Sequence, residues 1–254
     1  MTVGIFLDEL EVIADATKGI SSIRQKILDL AFRGKLVSQD PNDEPVSVLI
    51  ERITADKMRL VKEKKLRKQK PLPSAEVNQE SFEIPTSWTW SNLGDIGRIF
   101  TGNSMSKVSK SDKYSKIEHG RPYIMTPNVG YGCDLESYDT GYRVPFDDEG
   151  YLVARPNTPL VCKEGGSAGR KVGYTDREIC FGNKLIALET YAEYSPRFVF
   201  FFFQSQVFFS QFTENMTGII GGISLGAFNS IAIPSPPVAE QYRIVEKVDE
   251  LMGL

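Results

Sequence analysis

What this chain has little of narrows the search first. In 254 residues it holds one histidine, His119, and three cysteines, Cys133, Cys162 and Cys180. The cysteines are too far apart for a Cys-x-x-Cys ligand pair, and an odd number cannot all pair with one another, so a reducing, cytoplasmic home is expected and no metal is. The longest apolar run, Phe198 to Phe203, covers six residues, far below the roughly 20 that span a bilayer, so no membrane partner is expected. Met1 to Leu10 already carries Asp8 and Glu9, which does not fit a secretory leader. An excess of positive charge is also missing: 30 Lys+Arg stand against 33 Asp+Glu, a net charge of −3. Bulk charge therefore cannot grip nucleic acid, and such a role must be local or shared with a partner.

Complete catalytic motifs are absent as well. There is no G-x-x-x-x-G-K-[ST] loop and no G-x-G-x-x-G fingerprint. The Asn/Asp-Pro-Pro-Tyr/Phe motif of amino-methyltransferases is missing too; the only Pro-Pro is Pro236-Pro237. Gly165, Ser167 and Gly169 match the G-x-S-x-G nucleophile elbow, but the only base candidate, His119, precedes the serine, opposite to the hydrolase-fold order. A glycine-rich loop is the simpler reading. A serine hydrolase using Ser167 stays as the enzyme alternative, and a non-reading assembly scaffold as the other.

What is present divides the chain. Ile13, Ala16, Ile20, Ile23, Ile27 and Leu30 alternate spacings of three and four, the seam of a coiled-coil helix, and Gly34 followed by Val37 predicts its stop. After the turn-like SQDPNDEP, residues Val46, Leu49, Ile50, Ile53, Met58 and Leu60 give a second helical pattern. Lys57 to Lys70 then holds eight basic residues against Glu63 alone, which reads equally as a solvated helix end or a phosphate-contacting patch. Pro71, Pro73 and Pro85 mark an extended linker. Beyond it, YIMTPNV, YLVA, PLVC and LIALE read as strands between turns. Pro196 to Phe212, with eight of the fifteen Phe, reads as one core helix under the sheet. A last helix follows Pro236-Pro237, with Ile244, Val248 and Leu251 as its seam. The expected division is a helical region and linker over 1–81, a globular domain over 82–236, and the start of a second helix over 237–254.

This order of segments resembles the specificity subunit of type I restriction-modification enzymes over nearly the whole chain. IRQKILDLAFRGKLV with the following VLIERITADKMRLVKEKK is similar to the family's conserved helical region. IPTSWTWSNLGDI with Thr101-Gly102 resembles the opening of a target-recognition domain, and IPSPPVAEQYRIVEKVDEL its close, with the GGSAG loop and CFGNKLIAL between them in family order. The resemblance implies an α+β recognition domain flanked by long helices that form an antiparallel coiled-coil spacer. It implies a non-catalytic reader of one half of a bipartite site in double-stranded DNA, docked to modification methyltransferase subunits and indirectly to a restriction motor subunit. Methylation chemistry and its cofactor would belong to the partner, so this chain needs none. Family members usually carry two recognition domains and this chain has one, so it reads as half a specificity subunit. Two such halves could complete each other's helix pairs as a homodimer.

Major-groove reading needs Lys/Arg for guanine, Asn/Gln for adenine and hydroxyls for either, held on a rigid scaffold. Three loops offer that mixture. Residues 101–116 supply Thr101, Asn103, Ser104, Lys107, Lys110, Lys113 and Tyr114. KEGGSAGRK supplies Lys163, Ser167, Arg170 and Lys171 on a backbone whose glycines permit close approach. Asn183 and Lys184, after a short glycine turn, form the third set.

Overall fold

A computed structural model describes residues 19–66, 71–73, 75, 83–106, 113–115, 117–135, 137–219 and 221–253. Helix α1 (Gly19–Phe32) ends where Gly34 takes a left-handed φ of 64° and the Lys35 N–H donates to Leu30 O at 2.8 Å. A side chain at Gly34 would meet Pro85 Cγ at 2.3 Å, so both the turn and the close approach demand glycine. Helix α2 (Val46–Lys62) buries Leu49 and Ile53 and carries Arg59 and Lys62 in its last turn, where cations complement the helix dipole. Met58, counted in its apolar pattern, is instead exposed.

The sheets begin with β1 (Thr89–Asn92), a one-turn α3 (Leu93–Ile96) and β2 (Gly97–Thr101). Then come β3 (Arg121–Ile124), β4 (Tyr131–Asp134), β5 (Arg143–Val144), β6 (Val153–Ala154), β7 (Thr158–Cys162), β8 (Val172–Thr175), β9 (Ile179–Phe181) and β10 (Leu185–Thr190). The order β2-β10-β7-β8-β4 makes a five-stranded sheet, antiparallel except for the β8–β4 pair. A smaller sheet runs β5-β3-β9-β6, and β1 pairs with β11 (Ala232–Ser235). The fold is mixed α+β.

The expected single Phe-rich helix is two. Helix α4 (Pro196–Phe202) and helix α5 (Gln206–Glu214) each start at a serine whose hydroxyl accepts a backbone N–H: Ser195 from Phe198 and Ser205 from Phe208, both at 3.2 Å. Ser205 is an N-cap in mid-segment, and it lets the chain turn and fold the second group of rings back onto the first. Phe203 and Phe208 meet with centroids 4.9 Å apart and planes tilted by 40°, and Phe212 and Phe208 both meet Phe228 of α6 (Leu225–Asn229).

Strand alternation divides the interior in two. Val161, Ile186 and Leu188 face the helices, while Leu160, Cys162, Leu185 and Ala187 line a second core with Phe100 and Phe181. The first core also takes in Ile27, Phe32, Leu49 and Ile53, and Ile244 and Val248 of the last helix, α7 (Val238–Met252). Helices α1 and α7 pack side by side and antiparallel: Ser21 and Arg24 share a groove with Met252, while Asp43, beyond the other end of α1, meets Arg243 in two contacts of 3.0 and 2.5 Å. Glu240 ties three segments together, accepting from Trp88 Nε1 at 2.9 Å and Gln39 Nε2 at 2.6 Å.

The seam residues thus have covers within the chain itself. Ile27, Ile244 and Val248 are buried, Ile23, Leu30 and Leu251 pack half-buried on the same core, and Ile20 is 64% exposed. Ile13 lies outside the described residues. No described helix is long and apolar enough to cross a membrane.

Candidate nucleic-acid interface

Three chain reversals meet at one end of the five-stranded sheet because backbone hydrogen bonds sew them together. The tight turn from β9 to β10 closes with Leu185 N–H to Gly182 O at 3.1 Å. The loop leaving β2 joins it through Asn103 N–H to Phe181 O at 3.0 Å, and the loop leaving β7 joins it through Lys163 N–H to Lys184 O at 2.8 Å. Gly102 sits so close to Phe181 that a Cβ there would lie 1.8 Å from its carbonyl oxygen. The GGSAG segment is a compact reversal between antiparallel strands, with Gly169 N–H bonded to Cys162 O at 2.9 Å and Ser167 O accepting from the N–H groups of Arg170 and Lys171. A second glycine-rich reversal braces it: Gly165 N–H donates to Gly221 O at 2.8 Å and Ile223 N–H to Lys163 O at 3.1 Å.

Between these loops lies a cleft of about 460 Å³ in which Ser104, Ser167, Asn183 and Lys184 converge, one or two from each of the three expected loops. Thr126 and Glu164 line it as well, and sequence reasoning did not select either. Lys163 and Lys184 each place Nζ 3.7 Å from a Glu164 oxygen. Hydroxyl, amide, ammonium and carboxylate groups stand here on turns with clamped backbones, beside the apolar Met105, Met125 and Pro127, and are donors and acceptors of the kinds that pair with base edges.

The structure takes several expected readers elsewhere. Tyr114 is 4% exposed, donates to Asp148 Oδ2 at 2.9 Å and packs edge-on against Tyr151, so it is a core residue. Lys113 is exposed but bonded to the same carboxylate at 2.9 Å; with the Gly150 N–H and the Tyr114 hydroxyl it holds Asp148 below the usual carboxylate range. Asn103 spends its amide oxygen on the Leu152 N–H at 2.7 Å and its carbonyl on the Tyr123 hydroxyl at 2.6 Å, which makes it a loop tie. Thr101 is half-buried at the end of β2. Lys171 donates to Thr126 O at 3.1 Å. Arg170 lies over Phe209, 5.5 Å from the ring centroid, and lines a separate groove with Arg24, Gln25 and Phe203. Lys107 and Lys110 lie outside the described residues. In the basic run, Lys57 is bound to Gly94 O and Asp95, and Lys65 to Glu63 at 2.8 Å, so part of that charge is already compensated. Residues 67–70 are not described.

Ser167 has no hydrolase setting. Its loop joins two strands rather than a strand to a helix, and no histidine lines its cleft among the described residues.

Residues 85–253 match the family model described as the type I restriction modification DNA specificity domain. The chain belongs to that family. It is 33% identical over 248 residues to the EcoEI specificity subunit of a type I restriction enzyme from Escherichia coli, and 30% identical over 244 residues to the EcoAI specificity subunit from the same species. These alignments cover 93% and 92% of this chain and 40% of each relative, so the chain spans about two-fifths of their length. The fold is similar to the HsdS subunit from Thermoanaerobacter tengcongensis (TM-score 0.52, 16% identity, 97% of this chain and 49% of that one). It is equally similar to a chain in a structure of complex assembly and conformational transition of the type I R-M system (TM-score 0.52, 18% identity, 97% and 52%). The two Escherichia coli relatives are specificity subunits, and the serine-hydrolase alternative has no support.

Proposed function

We propose that this chain is a non-catalytic DNA reader of a type I restriction-modification enzyme, recognising one half of a bipartite site in double-stranded DNA through the cleft of Ser104, Ser167, Asn183 and Lys184. The observation that carries the proposal is the convergence of three sequence-distant polar loops on one braced cleft, in a chain of the specificity-domain family. The globular domain over residues 82–236 does the reading. The helical region and linker over residues 1–81 and the helix begun over 237–254 supply a coiled-coil spacer and dock the modification methyltransferase, through which a restriction motor subunit is engaged indirectly. Exposed Ile20 and the solvent-facing sides of α1 and α7 are the surface left for that docking or for a second copy of the chain. The setting is cytoplasmic, where the DNA is.

With a net charge of −3, the chain alone has few phosphate contacts to offer, so tight binding needs the charge of the partner. The test is selection of bound sites from random duplexes by the chain assembled with its methyltransferase subunits. A defined half-site is expected. A complex that forms but selects no sequence would replace the reader with a scaffold.

A further inference from the structure

Among the described residues, one group lining the cleft has a charge of the wrong sign for DNA. Glu164 lines it beside Ser167, Asn183 and Lys184, with its side chain about one-third exposed at 33%. Its carboxylate oxygens stand 3.7 Å from the ammonium groups of Lys163 and Lys184. That separation gives Coulomb attraction yet exceeds hydrogen-bond range, so the carboxylate is held by charge while its acceptor positions stay open to a third donor. The backbone at this residue is fixed on both sides: Glu164 bridges Gly222, and Lys163 and Gly165 are bonded to Lys184 and Gly221 at 2.8 Å each.

A carboxylate near phosphates weakens binding to every duplex alike, so its presence in a reading cleft calls for a donor that meets it. In the major groove the base-edge donors are the exocyclic amino groups N4 of cytosine and N6 of adenine, whereas guanine and thymine present acceptors and a methyl group. We propose that Glu164 is a specificity-determining residue that accepts a hydrogen bond from the exocyclic amino group of one cytosine or adenine, with Lys163 and Lys184 keeping its charge compatible with DNA. This rests on the reading of the cleft as the DNA interface. The competing role, simple neutralisation of the two lysines, has a different signature: removing the carboxylate would then tighten binding to all duplexes equally.

The experiment uses the full chain assembled with its methyltransferase subunits and the duplex that complex selects. Each cytosine is replaced in turn by pyrimidin-2-one and each adenine by unsubstituted purine, which delete only the amino group, and affinity is measured by competition with the parent duplex. The wild-type complex is expected to lose roughly 5- to 150-fold at the position Glu164 reads, beside any losses at positions read by other groups. In Glu164→Ala that loss disappears at that position alone, and the other positions keep theirs. Any weakening of base pairing by the analogue is common to both proteins and cancels in the comparison. Glu164→Gln, which keeps an acceptor oxygen without the charge, is expected to restore part of the discrimination. Two results overturn the inference while leaving the DNA-reading function intact: a wild-type complex that is sequence-specific but indifferent to every amino-group deletion, or a Glu164→Ala profile that matches wild type at every position. A wild-type complex with no sequence preference overturns the function itself. Should Glu164→Ala fail to fold, the wild-type analogue profile and Glu164→Gln still decide.

Discussion

On the helical side of the five-stranded sheet, Phe198, Phe200, Phe201, Phe202, Phe208 and Phe212 are all sealed from water, and Phe32 of α1 packs on two of them at centroid distances of 5.1 and 5.4 Å. At the sheet's loop end, Ser104, Asn183 and Lys184 stand exposed on turns fixed by backbone bonds rather than by packed side chains. The two regions divide the work. Rings supply the stability, and because the turns that carry Ser104, Asn183 and Lys184 are clamped mainly by main-chain groups, with the Asn103 side chain and the Tyr123 hydroxyl as added ties, those three side chains can vary in what they read without loss of the scaffold. The difference also explains why α1 and α7 cannot be treated as detachable spacers: their apolar faces are part of the ring core.

The largest effect separating the regions is expected at Phe32. Phe32→Ala removes a fully buried ring from the junction of α1 and α4 and should cost about 3–5 kcal/mol of stability by denaturant unfolding, in line with large-to-small core changes. A loss under 1 kcal/mol would mean that α1 is not integral to the core. The second effect splits α1 itself. Ile27→Asp buries an unpaired carboxylate and should destabilise the whole chain, whereas Ile20→Asp, at a 64% exposed position, should change stability by less than about 0.5 kcal/mol yet weaken assembly with the methyltransferase. Sequence spacing alone treated the two as equivalent seam positions. Assembly unaffected by Ile20→Asp would remove that face of α1 from the docking surface.

The third effect concerns Glu240, whose carboxyl is pushed up by burial, against the hydrogen bonds from Trp88 and Gln39 that pull it down. A carboxyl with a raised folded-state pKa favours the fold below its unfolded value, 4.5, and loses that contribution as pH rises through its raised value. The stability of wild type relative to Glu240→Gln should therefore fall as pH is raised from about 4.5 and then level off, by urea unfolding at a series of pH values. A difference that grows with pH would reverse the sign assigned to this joint. The smallest effect is at the end of the basic run. Lys65→Ala, exposed and paired with Glu63, should weaken DNA binding equally for all sequences and lower the salt slope by at most about 0.9. A change confined to one base position would move reading out of the cleft.

Sequence patterns gave access to what is local. The 3.6-residue spacing marked α2, Gly34 marked the end of α1, and YLVA, PLVC and LIALE each contain a strand. The split between α4 and α5 had a signal, Ser205 in capping position, but an unbroken run of Phe outweighs one serine in any periodicity count. The cleft was legible only as three polar loops. What assembled it is non-local: parallel pairing of β3 with β9 and the pairing of β10 with both β2 and β7. For the same reason Tyr114 and Asn103 read as surface groups until Asp148 and Leu152, more than 30 residues away, supplied their partners. Ser167 and Arg170 are three residues apart on one tight reversal, which sends them to different grooves.

The central claim is that the loop end carries sequence information and the ring core does not. The most direct test is competition between the selected duplex and its single-base variants, using the assembled complex with wild-type chain, Asn183→Ala or Lys184→Ala. Each substitution is expected to leave unfolding stability within about 0.5 kcal/mol and to reduce discrimination at one base position by about 1–3 kcal/mol, with the remaining positions unchanged. Discrimination that stays intact at every position in both variants, while affinity falls evenly, would contradict the assignment of reading to this cleft.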